Sequence, residues 1–287
     1  MSSSTCLPCR ALCQFWQSSI GKKLVVALTG AFLVLFLAGH LVGNMLIYQG
    51  SEAFNHYAHF LHTMLHGWGI WLFRLTMLAA LGLHIVATVQ LVKANRAARP
   101  SRYQADDTMV ASKSSRIMIY SGLTILVFFV FHILHYTVRV TGDLKVLAEF
   151  GQNWAMTVKG FQNPIVVIFY VLAMGLLCSH LSHGVASIFQ TLGLRSRKTE
   201  GLISLLSKGY AIVLFVGFSS IPVACLFGFG KKEMNTTTEL VDTLQKKGYC
   251  ELPELLEGRN LTEYAREIEL APSIKKKSGC SSCPDCK

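Results

Sequence analysis

Six histidines lie inside long apolar stretches of this 287-residue chain, a setting in which ionisable side chains are rare and usually functional. They are His40, His84, His132, His135, His180 and His183. Neutral imidazole is an axial ligand of haem iron, and it can also join helices by hydrogen bonds or take part in a proton relay. Whether two of these histidines could share one ligand depends on where the fold places them.

The apolar stretches are long enough to carry these histidines across a membrane. A helix needs about 20 apolar residues to span the hydrocarbon layer, and five such runs cover residues 24–48, 68–92, 117–138, 164–190 and 209–229. The first run is too long for a cleavable signal peptide. We predict an all-α integral membrane bundle of five transmembrane helices over residues 21–230. A loose or interfacial N-terminal segment, 1–20, precedes it, and a polar tail, 231–287, with short helices near 237–247 and 253–269, follows it.

Lysine and arginine are divided unequally between the two sides of the predicted bundle. Thirteen lie before span one, in residues 1–23, and in the loops after spans two and four, whereas the loops after spans one and three hold three. Because positive loops stay inside, the N-terminus is predicted to be cytoplasmic and the C-terminus external, in a bacterial-type inner membrane. The net charge of +11 then reports orientation, and no nucleic-acid partner is expected.

The rise of 1.5 Å per helical residue sorts the histidines by depth. Spans one and three run outward and carry His40 and His132 in their outer halves, while spans two and four run inward and carry His84 and His183 in their inner halves. Two level pairs, displaced by roughly 10–15 Å in depth, suit two bis-histidine b haems. The chain has no C-x-x-C-H motif, so covalent attachment is not expected.

Two neighbouring histidines leave the choice of ligands open, because His135 and His180 each lie one helical turn from a member of these pairs. A Thr-Gly or Ser-Gly pair precedes His40 and His132 at the same spacing, which favours His132. A glycine directly follows His183 and favours that residue. Glycines that could leave room for a macrocycle are Gly30, Gly82, Gly122 and Gly184. A tetrahedral metal site is disfavoured because the paired ligands lack short local spacing.

Three charged residues are further candidates for a cofactor or substrate site. Arg74 lies in the second apolar run and could pair with a haem propionate or extend to the interface, and Arg139 is a second propionate candidate. Glu52 lies in the first outer loop, close to four histidines. These are His56, His59, His62 and His66, and their segment is predicted to form an amphipathic surface helix. This carboxylate could take protons from a quinol.

The ordered motifs of residues 18–230 resemble a known family. They are SSIGKK at 18–23, LTG at 28–30, HLVGN at 40–44, AFNHYA at 53–58, LH at 83–84, SG at 121–122 with His132, and HG at 183–184. This set is similar to the di-haem cytochrome b membrane-anchor subunit of succinate:quinone oxidoreductases, of the type with one large anchor polypeptide.

The resemblance implies an inner haem on His84 and His183 and an outer haem on His40 and His132. It also implies a flavoprotein with FAD and an iron–sulfur subunit on the cytoplasmic face. Electrons would pass between succinate or fumarate in the flavoprotein and a membrane quinone. The chain departs from some fumarate reductases of this family at Leu181, where those proteins carry a glutamate assigned to proton transfer.

Two other functions fit some of these features. A proton-coupled transporter would use buried His and Arg, and the cytochrome b subunit of another quinone-linked oxidoreductase would also bind haem. The paired cysteines near both ends could hold a metal or form disulfides. They are Cys6 and Cys9, and Cys280, Cys283 and Cys286, with Cys250 as a further ligand.

Overall fold

The computed structural model describes residues 7–98 and 118–246, with side chains from residue 10 onward, and every regular element in these ranges is helical. The helices are α1 (Leu7–Gln17), α2 (Ser19–Met45), α3 (Ser51–Thr63), α4 (Trp68–Ala97), α5 (Met118–His132), α6 (Gly142–Glu149), α7 (Asn153–Gly160), α8 (Pro164–Thr191), α9 (Glu200–Leu226) and α10 (Lys231–Lys246). A 3-10 turn, Leu46–Gln49, continues α2, and a π turn, Ile133–Val138, continues α5.

Five of these helices are long and apolar enough to cross a membrane. They are Ser19–Gln49, Trp68–Ala97, Met118–Val138, Pro164–Thr191 and Glu200–Leu226. Large apolar side chains on them stay exposed in the chain alone, including Leu35 at 72% and Ile165 at 76%, as lipid-facing residues do. The prediction of an all-α chain with five transmembrane helices is confirmed, and the chain is a multi-pass membrane protein. The fifth helix starts at Glu200, nine residues before its predicted start.

The chain forms two compact units, and each takes part of several long helices. The first unit contains residues 1–39, 71–121 and 178–213, and the second contains residues 40–70, 122–177 and 214–287. Each unit therefore has its own set of intramembrane histidines, which are described separately below.

In the first unit, polar groups of neighbouring helices meet at close range. Tyr210 on α9 donates its hydroxyl proton to the backbone carbonyl of Val34 on α2 at 2.5 Å. Ser207, one turn earlier on α9, is fully buried and donates to the carbonyl of Ile203 within its own helix at 2.7 Å. Such internal pairing is required because the hydrocarbon layer offers no water to a polar group.

The second unit has a well-packed core built by short helices. α7 packs against α3, α6 and α10, and the fully buried side chains include Phe150, Trp154 and Val158. Trp154 donates its indole proton to the carbonyl of Ile47 at 2.9 Å. Asn55 on α3, 4% exposed, accepts a hydrogen bond from the backbone N–H of Trp154 at 2.8 Å and donates to Gln152 at 3.3 Å.

Both flanking regions contain helices. The N-terminal segment, expected to be loose or interfacial, forms α1. The tail pattern predicted near 237–247 forms α10, which starts at Lys231. A second tail helix predicted near 253–269 and the cysteines at 6, 250, 280, 283 and 286 lie outside the described residues, as does the side chain of Cys9.

Replacing Asn55 by alanine should destabilise the second unit. The substitution leaves the buried N–H of Trp154 and the side-chain oxygen of Gln152 without Asn55 as their partner, which costs about 1–3 kcal/mol. Thermal unfolding in detergent measures the effect. Asn153→Ala is the matched control, because Asn153 is only half-buried and its side chain donates to the nearby carbonyl of Gly151. Equal losses of stability in the two variants would contradict this role of Asn55.

Candidate functional site

The second unit brings His40 and His132 close together from two different helices. His40 lies on α2 and His132 is the last residue of α5. Their ring centroids are 6.0 Å apart, and the ring planes are nearly perpendicular at 85°. These two imidazoles form the outer pair.

A single hydroxyl group on α8 contacts both histidines at the end of α5. The hydroxyl of Tyr170 lies 3.2 Å from Nδ1 of His132 and 3.1 Å from Nδ1 of His135. Tyr170 is 6% exposed and His135 is 8% exposed. His135 lies in the π turn and packs on the ring of Tyr136 at 4.1 Å.

Aromatic neighbours restrict the orientation of the outer pair. Phe128 stacks on the ring of His132 at 5.8 Å, and Phe218 lies 5.7 Å from the ring of His40. Asn44 donates to the backbone carbonyl of His40 at 2.7 Å and places its amide nitrogen 3.4 Å from both ring nitrogens. The two imidazoles are therefore held by packing as well as by hydrogen bonds.

In the first unit, His84 on α4 is oriented by α2. The hydroxyl of Thr29 donates to the backbone carbonyl of Val25 at 2.6 Å, so its oxygen is left to accept from Nδ1 of His84 at 3.2 Å. In the tautomer with its proton on Nδ1, His84 donates to this oxygen, and its Nε2 is free to bind a metal. Beside it, a Cβ on Gly30 would lie 3.3 Å from Cε1 of His84.

His180 on α8 has an equivalent hydroxyl partner on α5. Ser121, 2% exposed, donates to the carbonyl of Met118 at 3.1 Å and lies 3.2 Å from Nδ1 of His180. His180 is close enough to both His84 and His183 to interact with them electrostatically. We refer to His84 and His180 as the inner pair.

His183, which the following glycine favoured in the sequence, has a different neighbour. It lies within electrostatic range of Arg195, in the loop after α8. The geometry thus gives His180 the position equivalent to that of His84.

The outer pair has the dimensions that a bis-histidine haem requires. A metal–imidazole bond is about 2 Å long, so two ligands on opposite faces of one iron have ring centroids about 6 Å apart. The observed separation is 6.0 Å. In the first unit, an added Cβ at Gly184 would meet no atom within 4 Å, whereas Gly82 lies on the exposed surface of α4. The donor chemistry of both pairs fits haem iron, and the separation of the outer pair fits one haem.

The two arginines predicted to pair with haem propionates lie in different units. In the first unit, the guanidinium of Arg74 lies 5.0 Å over the ring of Trp71. In the second unit, Arg139 follows the π turn in a left-handed conformation with φ of 59°, and its Nε is buried. The haem-propionate roles of both arginines stay predictions.

Glu52 is exposed on α3 and lines an open pocket of about 610 Å³ in the second unit. Its polar neighbours in that pocket are Gln49, His56 and Tyr57. The amphipathic helix predicted for the histidines of the first outer loop is α3. It ends at Thr63, so His66 lies outside it. Among the described residues, no group of three or more His, Cys, Asp or Glu is arranged to hold a metal ion.

Sequence reasoning missed three hydroxyl groups that orient the histidines. The repeated Thr-Gly and Ser-Gly pairs drew attention to the glycines, whereas the structure gives Thr29 and Ser121 direct contacts with His84 and His180. Tyr170 has no motif around it, because its partners are 35 and 38 residues away. A polar residue in an otherwise apolar span was the available signal.

The fold and these clusters define a multi-pass helical membrane protein with two sets of imidazoles, of which His135 is buried and the others are partly buried. The chain is 24% identical over 205 residues to the succinate dehydrogenase cytochrome b558 subunit of Bacillus subtilis (strain 168), covering 68% of this chain and 89% of the relative. This similarity supports the resemblance indicated by the sequence motifs. No model of a known protein family matches the chain. No solved structure matches it either.

Gly30→Leu should disturb the inner pair, because the new side chain starts 3.3 Å from the His84 ring. The expected result is the loss of one of two haems, measured by haem content per polypeptide in the purified protein. Gly39→Leu is the control on the same helix, since an added Cβ there meets nothing within 4 Å. Equal haem content in the two variants would show that Gly30 does not shape this site.

Proposed function

We propose that this chain is the membrane-anchor cytochrome b subunit of a succinate dehydrogenase or fumarate reductase complex. The observation that carries the proposal is the outer imidazole pair, whose ring centroids lie 6.0 Å apart; in the first unit, His84 and His180 each have a hydroxyl oxygen beside Nδ1. The similarity to a succinate dehydrogenase cytochrome b558 subunit points to the same function. In this proposal the chain is an anchor of the single large type, and the dicarboxylate chemistry belongs to a partner subunit.

His40 and His132 are the proposed ligands of the outer haem iron. Their centroid separation of 6.0 Å suits opposite axial positions, and Nδ1 of His132 has a hydroxyl partner that leaves Nε2 for the metal. Arg139 begins the loop after the π turn, and we assign it to a carboxylate of the same haem.

His84 and His180 are the proposed ligands of the inner haem iron. Both imidazoles have Nδ1 bonded to a hydroxyl oxygen whose own proton is directed at a backbone carbonyl. Hydrogen bonds of this kind set the tautomer and the ring orientation of metal-binding histidines. We therefore propose His180 as the ligand in place of His183, which the sequence favoured.

When bound, each haem supplies a one-electron redox centre whose potential depends on its ligands and their hydrogen bonds. In this proposal the basic loops face the cytoplasm, so the inner pair lies near the side on which an iron–sulfur subunit and a flavoprotein carrying FAD would dock. The outer pair then lies towards the opposite face and a membrane quinone. The chain's own residues hold, orient and screen the two centres within the lipid layer.

The pocket of Glu52 is the proposed place for quinone protonation chemistry. Glu52 and His56 lie one turn apart on α3 and face the same open pocket of about 610 Å³, together with Gln49 and Tyr57. Gln49 and Tyr57 could bond the quinone oxygens, and Glu52 could exchange protons with them. The pocket belongs to the same unit as the outer pair.

A reduced-minus-oxidised optical spectrum of the purified protein tests the proposed cofactor and separates a cytochrome from a transporter. We expect b-type bands in the wild type and the loss of one haem per chain in His180→Ala. His183→Ala is the matched control three residues away and should keep both haems. A wild type without an α-band would refute the proposal, and loss of a haem in His183→Ala alone would return the ligand role to His183.

Glu52→Gln should slow quinone turnover by about 10²–10⁴-fold, the usual contribution of a positioned acid–base group. Succinate oxidation with an artificial electron acceptor should stay unchanged, because that reaction belongs to the flavoprotein. Glu239→Gln, an exposed glutamate on α10, is the control. Wild-type quinone turnover in Glu52→Gln would remove Glu52 from the quinone site.

A further inference from the structure

Tyr170 contacts both His132 and His135, the two alternative ligands of the outer haem iron. Its hydroxyl lies 3.2 Å from Nδ1 of His132 and 3.1 Å from Nδ1 of His135. The ring of Tyr170 is held edge-on by Phe128 at 5.0 Å and by Phe161 at 4.9 Å. The position of the hydroxyl is therefore set by packing, independently of the two imidazoles.

Because the Tyr170 hydroxyl carries a single proton, it can hold His132 and His135 in different tautomers. A tyrosine hydroxyl has one proton to donate and lone pairs with which to accept, and a neutral imidazole carries one N–H. When the hydroxyl donates to one Nδ1, it can accept from the other Nδ1–H. One imidazole then keeps Nε2 as a free lone pair, and the other carries its proton on Nε2 and cannot coordinate there.

We propose that Tyr170 is a positioning residue that selects His132 over His135 as the outer iron ligand and strengthens that ligand. The proposal rests on the haem function proposed above. Nδ1 of His132 donates to the Tyr170 oxygen, and the Tyr170 hydroxyl donates to Nδ1 of His135.

The surroundings of the two imidazoles support this direction of the hydrogen bonds. The ring of His132 faces the ring of His40 at 6.0 Å. The ring of His135 packs between Tyr136 at 4.1 Å and Phe161 at 6.3 Å. His132 thus combines a hydroxyl partner with an opposing imidazole, as a bis-histidine site needs.

The backbone conformation changes directly after His132. The regular α-helix ends at His132, and the π turn Ile133–Val138 begins at the next residue. Wide π turns inside helices frequently occur at functional sites. Here the turn contains His135 and follows the ligand directly, so that both Nδ1 atoms reach one hydroxyl on α8.

The hydrogen bond from Nδ1 of His132 has an electronic consequence. An acceptor on this N–H raises the basicity of the coordinating nitrogen, which favours ferric over ferrous iron. The donor bond from Tyr170 to His135 makes the tyrosine oxygen a better acceptor, because hydrogen bonds in a chain polarise one another. His135 therefore acts on the iron through Tyr170.

Tyr170→Phe tests the proposal with little change of volume. We expect the purified complex to keep both haems, the midpoint potential of the outer haem to rise, and that of the inner haem to stay at its wild-type value. A tenfold change in the preference for ferric over ferrous haem corresponds to about 59 mV for a one-electron couple. A spectroelectrochemical titration resolves the two haems, and the low-spin ferric signal of the outer haem in electron paramagnetic resonance should shift with its potential.

Tyr136→Phe is the matched control. Tyr136 packs in the same aromatic cluster, but its hydroxyl donates to the backbone carbonyl of Thr157 at 3.2 Å. This variant should leave the potential of the outer haem unchanged. Equal shifts in the two variants, no shift in Tyr170→Phe, or a common shift of both haems would overturn the proposal.

Two histidine variants keep the proposal testable if Tyr170→Phe fails to assemble. His135→Leu should retain the outer haem with a smaller rise in potential, whereas His132→Leu should lose that haem. The opposite pattern would make His135 the ligand and overturn the proposal. A wild type that binds no haem would instead refute the proposed function, so the two failures are distinguishable.

Discussion

The hydrogen bond between a hydroxyl group and Nδ1 of an imidazole is the interaction on which both histidine clusters depend. A polar group inside a bilayer has no water to bond, so an intramembrane histidine needs a partner for its N–H from the protein. Thr29, Ser121 and Tyr170 supply the hydroxyl groups to His84, His180 and His132. The same contact that satisfies Nδ1 leaves Nε2 available for a ligand. Stability in the membrane and readiness to bind a metal thus have one cause.

Close packing allows these contacts to form between helices. Gly30 lets the ring of His84 approach α2, and Gly217 on α9 lies so close to α2 that an added Cβ would come within 2.7 Å of Leu41. Small residues promote such contacts in membranes, where association of helices depends on close fit rather than on the hydrophobic effect. In the second unit, the short helices α6 and α7 add a buried core around Trp154 and Phe150. That core also contains Val167 and Tyr170 of α8 and Ile221 and Cys225 of α9, so it joins the short helices to the long spans.

The sequence predicted the five spans well because their apolar runs are long and nearly free of charge. It did not predict α6 and α7, since eight-residue helices have little periodicity to detect and their burial depends on α3 and α10. The early start of α9 was hidden by Lys208 and by the polar residues that begin this helix. The proposal of His180 in place of His183 rests on a long-range contact with Ser121, which no local spacing indicates. Tyr170 could be found only in three dimensions for the same reason.

The central claim is that this chain holds two haems on two imidazole pairs. Electron paramagnetic resonance of the oxidised, purified complex, with quantified spins and a measured haem content, tests it most directly. The account predicts two distinct low-spin ferric signals in equal amounts, each corresponding to one haem per polypeptide. A single low-spin signal at one haem per polypeptide, a high-spin signal typical of one missing axial ligand, or the absence of haem would contradict the account.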